Sequence, residues 1–183
     1  MKKLLKGFID RLRGEQELKK LTDRGLIVGE NFIRMGGVII DPSHCWHIRI
    51  GNNVTLAPRV HIIAHDASTK LFLDYTRVQN VVIGDNVFVG AGTIVLPGVV
   101  IGNNVVIGAG SVVAKDIPDN SVALGNPAKV VKRLDSYLEA EMGRMQPEVV
   151  FDEKYTLRNA GFGRAERLSL IDACERHGCI YVK

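Results

Sequence analysis

Aromatic residues and net charge are both scarce in this sequence of 183 residues. Phe, Trp and Tyr together make up 6% of the chain, and the formal net charge at pH 7 is only +4. A nucleic-acid-binding surface needs aromatic stacking platforms or a dense basic stripe, so the composition argues against a nucleic-acid partner. A small basic patch for an anionic cofactor is compatible with the same charge, because a few lysines are enough to contact phosphates.

Cysteine is also scarce. The three cysteines, Cys45, Cys174 and Cys179, form no Cys-X-X-Cys pair, and their odd number leaves one thiol unpaired in any disulfide scheme. This usage predicts a reducing, cytoplasmic setting.

Long uninterrupted apolar runs are absent from the beginning of the chain. Its apolar residues are interrupted by Lys6, Asp10, Arg11 and Arg13, so we expect neither a signal peptide nor a membrane span there. Their near-helical spacing predicts an amphipathic helix over residues 2–20. We expect this helix to pack on the end of the domain or on a neighbouring subunit. Weak association with a membrane surface, which the basic residues would favour, is the second interpretation.

The sequence has instead a six-residue repeat. Six consecutive hexads run from Ile83 to Pro118, and every sixth residue is aliphatic. A period of six fits neither the 3.6-residue period of a helix nor the alternation of a flat strand, so it predicts a chain that turns after each short strand. The hexads are IGDNVF, VGAGTI, VLPGVV, IGNNVV, IGAGSV and VAKDIP. Such a repeat is typical of a solenoid.

Each position of the hexad has a physical role. The aliphatic residue points inward, the small or β-branched residue four places later fills the space beside it, and Gly, Asn or Asp takes the turn. Three hexads make one triangular coil, and equivalent residues 18 apart stack at a spacing of roughly 4.8 Å with their backbones paired. The predicted inward residues are Ile83, Val89, Val95, Ile101, Ile107 and Val113 and, in an earlier regular stretch, Ile50, Leu56 and Ile62.

The pattern breaks between Ile62 and Ile83, which are 21 residues apart instead of a multiple of six. Because residues 67–80 have no hexad pattern, we expect an excursion loop over residues 66–80. A loop of that length in a compact repeat fold is usually functional. Its apolar residues are expected to pack over a neighbouring subunit or a ligand, since they would be costly to leave in water. They are Leu71, Phe72, Leu73 and Tyr75.

The stretch from Gly25 to Leu134 resembles the hexapeptide-repeat acyltransferases, and among them the sugar and xenobiotic O-acetyltransferases. The segments that carry the resemblance are APRVHIIAHD, the loop after it, and VVIGDNVFVGAGTIVLPGVVIGNNVVIGAGSVVAKDIPDNSVALGNPAKVVK. The resemblance implies a mainly β fold, a left-handed parallel β-helix. Ordinary parallel crossovers are right-handed, so the hand comes from the resemblance alone. The resemblance also implies a homotrimer with acetyl-CoA in a cleft between adjacent solenoids.

We expect three segments along the chain. They are an N-terminal helical segment over 1–24, the β-helix over 25–128 with its excursion loop 66–80, and a C-terminal helical extension over 129–183. Within the extension we predict helices from Val130 to Met145 and from Gly163 to His177, and a final strand in CIYVK.

Acyl transfer from a thioester to a hydroxyl needs a base, and His65 is the candidate. His is the usual choice because its unperturbed pKa of about 6.5 lies close to working pH. His65 stands where the last regular hexad gives way to the loop, which is the position of the catalytic His in the family that the chain resembles. Asp66 follows it, either to contact the acceptor sugar or to cap a turn.

The resemblance also implies a site for acetyl-CoA, without any required metal. It assigns backbone contacts with the pantetheine arm to Ala91, Ala109 and Ala114. It assigns contacts with the phosphates at the nucleotide end of acetyl-CoA to Lys115, Lys129 and Lys132, because an ammonium group binds phosphate as a compact positive charge.

The sequence leaves the acceptor open. Family members that acetylate simple sugars carry Asn and Asp in the early coils, whereas this chain has Met35, Gly36 and Gly37 and then His44 to His47. Trp46 has two interpretations, because it can stack on a sugar ring or cap the solenoid core.

Two other functions stay open. One is a zinc enzyme like the γ-type carbonic anhydrases, which share this fold and bind zinc through histidines. Its candidate ligands are His44, His47, His61 and His65. The other is a non-catalytic scaffold, although a scaffold has no need for a His at the loop junction.

Overall fold

The computed structural model describes residues 18–183. Most of the segment 1–24, with the helix predicted for residues 2–20, therefore lies outside the described residues, and a short helix, Leu18–Asp23, begins the described part. Within this part, no helix has the length and apolar character needed to cross a bilayer. The chain divides into two compact units, one ending at Asp135 and the other beginning at Ser136.

The first unit is a parallel β-helix with three faces. Successive short strands go to the first, second and third face in turn, so the parallel strands pair with strands one coil away. The first face holds Ile27–Val28, Ile48–Ile50, Val81–Ile83 and Val100–Ile101. The second face holds Ile33–Arg34, Thr55–Leu56, Val87–Val89, Val105–Ile107, Ser121–Gly125 and Ala128–Arg133. The third face holds Ile39–Ile40, His61–Ile62, Ile94–Val95 and Val112–Val113.

The core of this unit consists of the inward residues that the hexads predict, and all nine of the aliphatic ones are buried. The positions four places further on are buried as well, including the polar Thr93 and Ser111, except after Ile62, where Asp66 belongs to the excursion. Both hydroxyls bond to the carbonyl oxygen of Gly108, at 3.1 and 2.6 Å, so neither is left unpaired inside the core. The prediction of inward positions from the hexad pattern is confirmed.

Three corners join the faces. The asparagine corner, between the first and second faces, contains Asn31, Asn53, Asn86, Asn104 and Asn120. The glycine corner, between the second and third faces, contains Gly92 and Gly110, both at φ 69°. The histidine corner, between the third and first faces, consists of residues 41–47, 63–80, 96–99 and 114–116.

The predicted excursion loop belongs to the histidine corner. Its first strand, His65–Asp66, pairs antiparallel with Arg77–Val78, and a short helix, Lys70–Leu73, lies between them. The backbone N–H of Gln79 donates to the carbonyl oxygen of Ala64 at 2.9 Å. The two ends of the excursion are therefore tied together at the point where the chain leaves and re-enters the solenoid.

The end of the solenoid differs from the prediction. Residues Ala128–Arg133 form a strand antiparallel to Ser121–Gly125, and the helix expected from Val130 begins only at Leu134. Pro127 lies in the turn between these strands, where its missing N–H removes no ladder hydrogen bond. The β-branched pair Val130 and Val131 favours the extended conformation. The C-terminal extension accordingly begins later than residue 129.

The C-terminal part combines helices with a small sheet. Its helices are Leu134–Arg144 and Arg164–His177, the second preceded by Gly163 as N-cap. Two 3-10 turns occupy Pro147–Val149 and Glu153–Tyr155. The strands Val150–Phe151 and Tyr181–Val182 pair in parallel, so a final strand is present where CIYVK predicts one.

Candidate active site

His65 begins the antiparallel ladder at the base of the excursion. It pairs with Val78, and Asp66 pairs with Arg77. The regular third-face strand ends at Ile62, so His65 lies where the chain first departs from the coil. Its side chain is 31% exposed, which leaves part of the imidazole accessible to a ligand while its surroundings fix the rest.

A buried carboxylate holds the imidazole of His65. Asp41 is 3% exposed, and its Oδ2 bonds both to Nδ1 of His65 and to the backbone N–H of Ala64, the latter at 3.0 Å. Its Oδ1 accepts from the backbone N–H groups of Ser43 and His44 at 3.0 and 3.2 Å. With Nδ1 of His65 donating to the carboxylate, Nε2 carries the lone pair and can accept a proton.

The charge state of Asp41 follows from these contacts. Burial by itself raises the pKa of a carboxyl, but the hydrogen bonds from His65, Ala64 and Ser43 favour the charged form and hold the pKa of Asp41 below its ordinary value of 3.8. Asp41 is therefore an anion at neutral pH, and it stabilises any positive charge that develops on His65.

The sequence prediction missed Asp41. The signal that could have found it is the coil register, since Asp41 directly follows the inward residue Ile40, which pairs with Ile62 one coil later. Asp41 and His65 thus enter the same corner in successive coils. Their contact depends on how the chain leaves the third face, which the hexad spacing does not specify.

A cleft of about 780 Å³ opens beside His65. Its lining residues come from three coils of the histidine corner and from both strands of the excursion. They are Ile63, His65, Asp66, Ala67, Arg77, Gln79, Leu96, Pro97, Gly98, Val99, Ala114, Lys115 and Asp116. Gly98 has φ +86°, and a Cβ there would meet Nε2 of Gln79 at 2.7 Å. A side chain at this position would be strained and would push Gln79 aside.

Asp66 stabilises the excursion. Its Oδ1 accepts from the backbone N–H of Ser68 at 2.9 Å, and its Oδ2 pairs with Nη2 of Arg77 at 2.9 Å. The hydrogen bonds from Ser68 and the nearby Arg77 lower the pKa of Asp66. This geometry is that of the turn-capping interpretation, and Asp66 also lines the cleft, where an acceptor can reach it.

Three more aromatic rings cluster near His65. The ring of His44 lies 4.8 Å from that of His65 and 5.6 Å from that of Trp46, and His47 lies 5.9 Å from Trp46. Nδ1 of His47 bonds to Oδ1 of Asn80 at 2.7 Å. Trp46 is 51% exposed, so half of its surface is available to a ligand.

Only some of the predicted zinc ligands come together within one chain. Among residues 18–183, one group of His, Cys, Asp and Glu side chains has its ligand atoms close enough for a metal ion, and it consists of Asp41, His44 and His65. His61 lies on the third face, opposite Ile39 and Ile94, outside this group.

The residues assigned to acetyl-CoA fall into three places. Ala114 and Lys115 line the cleft beside His65. Ala91 and Ala109 are exposed and stacked at the glycine corner, where the N–H of Gly110 donates to the carbonyl oxygen of Ala91 at 2.8 Å. The exposed Lys129 and Lys132 lie on the last strand of the second face, outside the cleft lining.

Comparison with known proteins matches residues 80–115 to the family described as bacterial transferase hexapeptide (six repeats). Over 143 residues the chain is 42% identical to the protein CapG of Staphylococcus aureus, a match that covers 75% of this chain and 81% of CapG.

Two solved structures resemble the chain in both sequence and fold. A maltose O-acetyltransferase from Clostridium difficile 630 is 45% identical, with a TM-score of 0.50, over 58% of each chain. A hexapeptide-repeat acetyltransferase from Vibrio cholerae O1 biovar eltor, complexed with acetyl coenzyme A, is 26% identical, with a TM-score of 0.53. That match covers 58% of this chain and 59% of the Vibrio chain. The chain thus spans a little under three fifths of either enzyme.

Proposed function

The chain belongs to the bacterial hexapeptide-repeat transferases, whose left-handed parallel β-helix is the fold of its first unit, and we propose that it moves an acetyl group from acetyl-CoA to a hydroxyl of a sugar or polysaccharide precursor. The observation that carries the proposal is the contact between His65 and the buried Asp41 at the edge of the cleft. A partly exposed histidine whose Nδ1 donates to a carboxylate is well arranged for general-base catalysis, because its Nε2 carries the lone pair.

The reaction is a direct transfer in a ternary complex. Nε2 of His65 takes the proton of the acceptor hydroxyl as its oxygen attacks the thioester carbonyl. The tetrahedral intermediate then collapses, the carbon–sulfur bond breaks, and the departing thiolate takes the proton back from the imidazolium. The products are an acetyl ester and free coenzyme A. The charge of Asp41 stabilises the imidazolium between the two proton transfers.

Acetyl-CoA is proposed to contact the histidine corner and the glycine corner, which lie on either side of the third face. Ala114 and Lys115 line the cleft, where the thioester must lie to react beside His65. Ala91 and Ala109 present a surface of small side chains to the pantetheine arm. Lys129 and Lys132 are exposed cations that can contact the phosphates at the nucleotide end. The Vibrio structure, with its bound acetyl coenzyme A, supports the choice of donor.

The acceptor is proposed to be a saccharide because the named activity of the Clostridium relative is the O-acetylation of maltose. Trp46 offers its half-exposed ring for stacking on a sugar, and Asp66 offers a carboxylate at the cleft. All three cysteines are free, which supports a reducing, cytoplasmic setting for the reaction.

A homotrimer is part of the proposal. In the single chain, Leu71 and Phe72 of the excursion are 84% and 81% exposed, and Leu73 and Tyr75 are also exposed. Contiguous apolar side chains in water mark an interaction surface. A neighbouring copy of the chain would cover them beside the cleft, and closed rotational symmetry is the usual arrangement of such copies.

The test is an assay of acetyl transfer. The purified protein is separated by size, and the fraction with a light-scattering mass of about 60 kDa, three times the 20.1 kDa of one chain, is collected. This fraction is incubated with acetyl-CoA and a panel of mono- and oligosaccharides. We expect thiol release that matches the acetyl group gained by one class of saccharide, as an ester that hydroxylamine cleaves. Acetylation confined to amines, which hydroxylamine leaves intact, would contradict the proposal, and activity confined to a monomer fraction would contradict the trimer.

A further inference from the structure

His44 contains a polar atom that acetyl transfer does not use. Its Nδ1 is buried and has no hydrogen-bond partner within the described part of the chain. Buried polar atoms are nearly always paired, because an unpaired one loses its bonds to water without replacement. The unpaired nitrogen lies in a cluster with another imidazole and a buried carboxylate, which calls for a ligand that bonds all three.

The donor set determines the class of ligand. Asp41, His44 and His65 each offer one ligand atom, and these atoms lie within 4.8 Å of one another. Two imidazole nitrogens with one carboxylate oxygen suit zinc and its first-row neighbours, whereas magnesium and calcium prefer sets of oxygens. Around a tetrahedral ion with bonds of about 2.0–2.2 Å, ligand atoms lie about 3.3–3.6 Å apart. Small rotations of the two rings would adjust the triangle to that size, by bringing His44 closer and by separating the hydrogen-bonded pair of Asp41 and His65.

A metal ion could reach these three residues from the cleft, and they would leave one of its coordination positions open. His65 is partly exposed at the edge of the cleft, so an ion can enter from that side. Three protein ligands leave a fourth tetrahedral position for water. The backbone N–H of His44 donates to Oδ1 of Asp41 at 3.2 Å, which positions the His44 residue relative to the carboxylate before any ion arrives.

We propose that Asp41, His44 and His65 form a binding site for zinc-class divalent cations, and that occupancy of this site blocks acetyl transfer. On binding, the metal takes a lone pair of the Asp41 carboxylate and the lone pair of Nδ1 of His65, and the proton that Nδ1 carried moves through solvent to Nε2. With Nδ1 on the metal and Nε2 protonated, the imidazole has no free lone pair and can no longer accept the proton of the acceptor hydroxyl. Binding itself is independent of the proposed acetyl transfer, whereas the inhibition rests on it.

The binding test uses cobalt(II), whose visible absorption reports tetrahedral coordination, and a background with Cys174→Ser and Cys179→Ser that removes the exposed thiols. His44→Phe keeps a ring in the cluster and deletes both nitrogens. The matched control is His47→Phe, because the ring of His47 lies 6.4 Å from that of His44 and outside the ligand group. We expect one cobalt per chain in the background protein and in the control, and at least tenfold weaker binding in His44→Phe.

Zinc titrations of activity complete the test. Zinc should inhibit the background protein and the His47→Phe control, a chelator should restore both, and His44→Phe should need at least tenfold more zinc for the same inhibition. The site is contradicted if the background protein binds no tetrahedral cobalt, or if His44→Phe binds it as tightly as the control. Activation by zinc would contradict the blocking role. Should His44→Phe fail to fold, His44→Gln replaces it, and the cobalt spectrum decides the site even in a protein that transfers no acetyl group.

Discussion

Asp41 determines what His65 can do, because its carboxylate accepts four hydrogen bonds, from the imidazole and from three backbone N–H groups. Asp41→Asn should therefore act on chemistry more than on donor binding. We expect kcat to fall by roughly 10- to 1000-fold, less than loss of the base itself, while the dissociation constant of acetyl-CoA stays unchanged. Steady-state kinetics and calorimetry measure the two quantities.

The same variant has a second readout that depends on pH. A carboxyl whose pKa is lowered in the folded state stabilises the fold above its unfolded pKa, and this contribution is lost as the pH falls through the folded pKa. The free energy of unfolding of the wild-type protein should thus decrease more steeply below about pH 4 than that of Asp41→Asn. Equal acid sensitivity of the two proteins would contradict a lowered pKa for Asp41 in the folded state.

At this scale the sequence allowed one half of the pair to be predicted. His65 is visible because it stands at the junction of a repeat and an insertion, which is a feature of the sequence itself. Asp41 is not visible, because its role depends on the stacking of two coils. The number of residues between these coils depends on the length of the histidine corner, which the hexad spacing does not specify. The unpaired Nδ1 of His44 is likewise a property of packing, since the same residue in another rotamer could be satisfied by water.

The asparagine corner stabilises the β-helix along its length. Its five asparagines have φ between 53° and 57°. The side-chain Nδ2 of each of the first four donates to Oδ1 of the next asparagine, at 2.9 or 3.0 Å. Asn tolerates the left-handed conformation better than most residues with a side chain. The ladder continues from Asn53 to Asn86 although the excursion is inserted between them, so the insertion at the histidine corner leaves this corner intact.

Substitution of Asn86 separates the contribution of the side-chain hydrogen bonds from that of the left-handed backbone conformation. Asn86→Ala removes two side-chain hydrogen bonds and puts a less suitable residue at φ 57°, whereas Asn86→Gly removes the same bonds but fits the backbone. We expect Ala to lower the free energy of unfolding by about 2 kcal/mol and Gly by about 1 kcal/mol. Urea unfolding at one fixed protein concentration measures both. If Ala and Gly were equally destabilising, the backbone conformation would contribute nothing.

Elements differ in how well the sequence predicts them. The hexads predict the inward residues correctly, because burial of one position in six needs only local spacing. The sequence predicts a helix from Val130 onward, whereas Ala128–Arg133 is a strand. In fact Gly125 and Pro127 reverse the chain, and the sheet continues with an antiparallel strand that a parallel repeat cannot predict.

The whole molecule combines a regular scaffold with an irregular corner. Stacked coils hold the three corners at fixed positions, and the chemistry-bearing side chains concentrate at the histidine corner, where the repeat is interrupted. The fold class could be predicted from the repeat, and the hand from family resemblance. The start of the second unit at Ser136 could not, because the residues after the last hexad have no repeat from which their packing could be inferred.

The most direct test of acetyl transfer at this corner is the turnover of His65→Ala, measured together with its affinity for acetyl-CoA. The control is His177→Ala, which removes an exposed imidazole from the C-terminal helix. We predict that kcat of His65→Ala falls by roughly 10²- to 10⁴-fold with the dissociation constant of acetyl-CoA unchanged, while the control keeps wild-type values for both. A His65→Ala protein that keeps half of the wild-type kcat would contradict the assignment of His65 as the base.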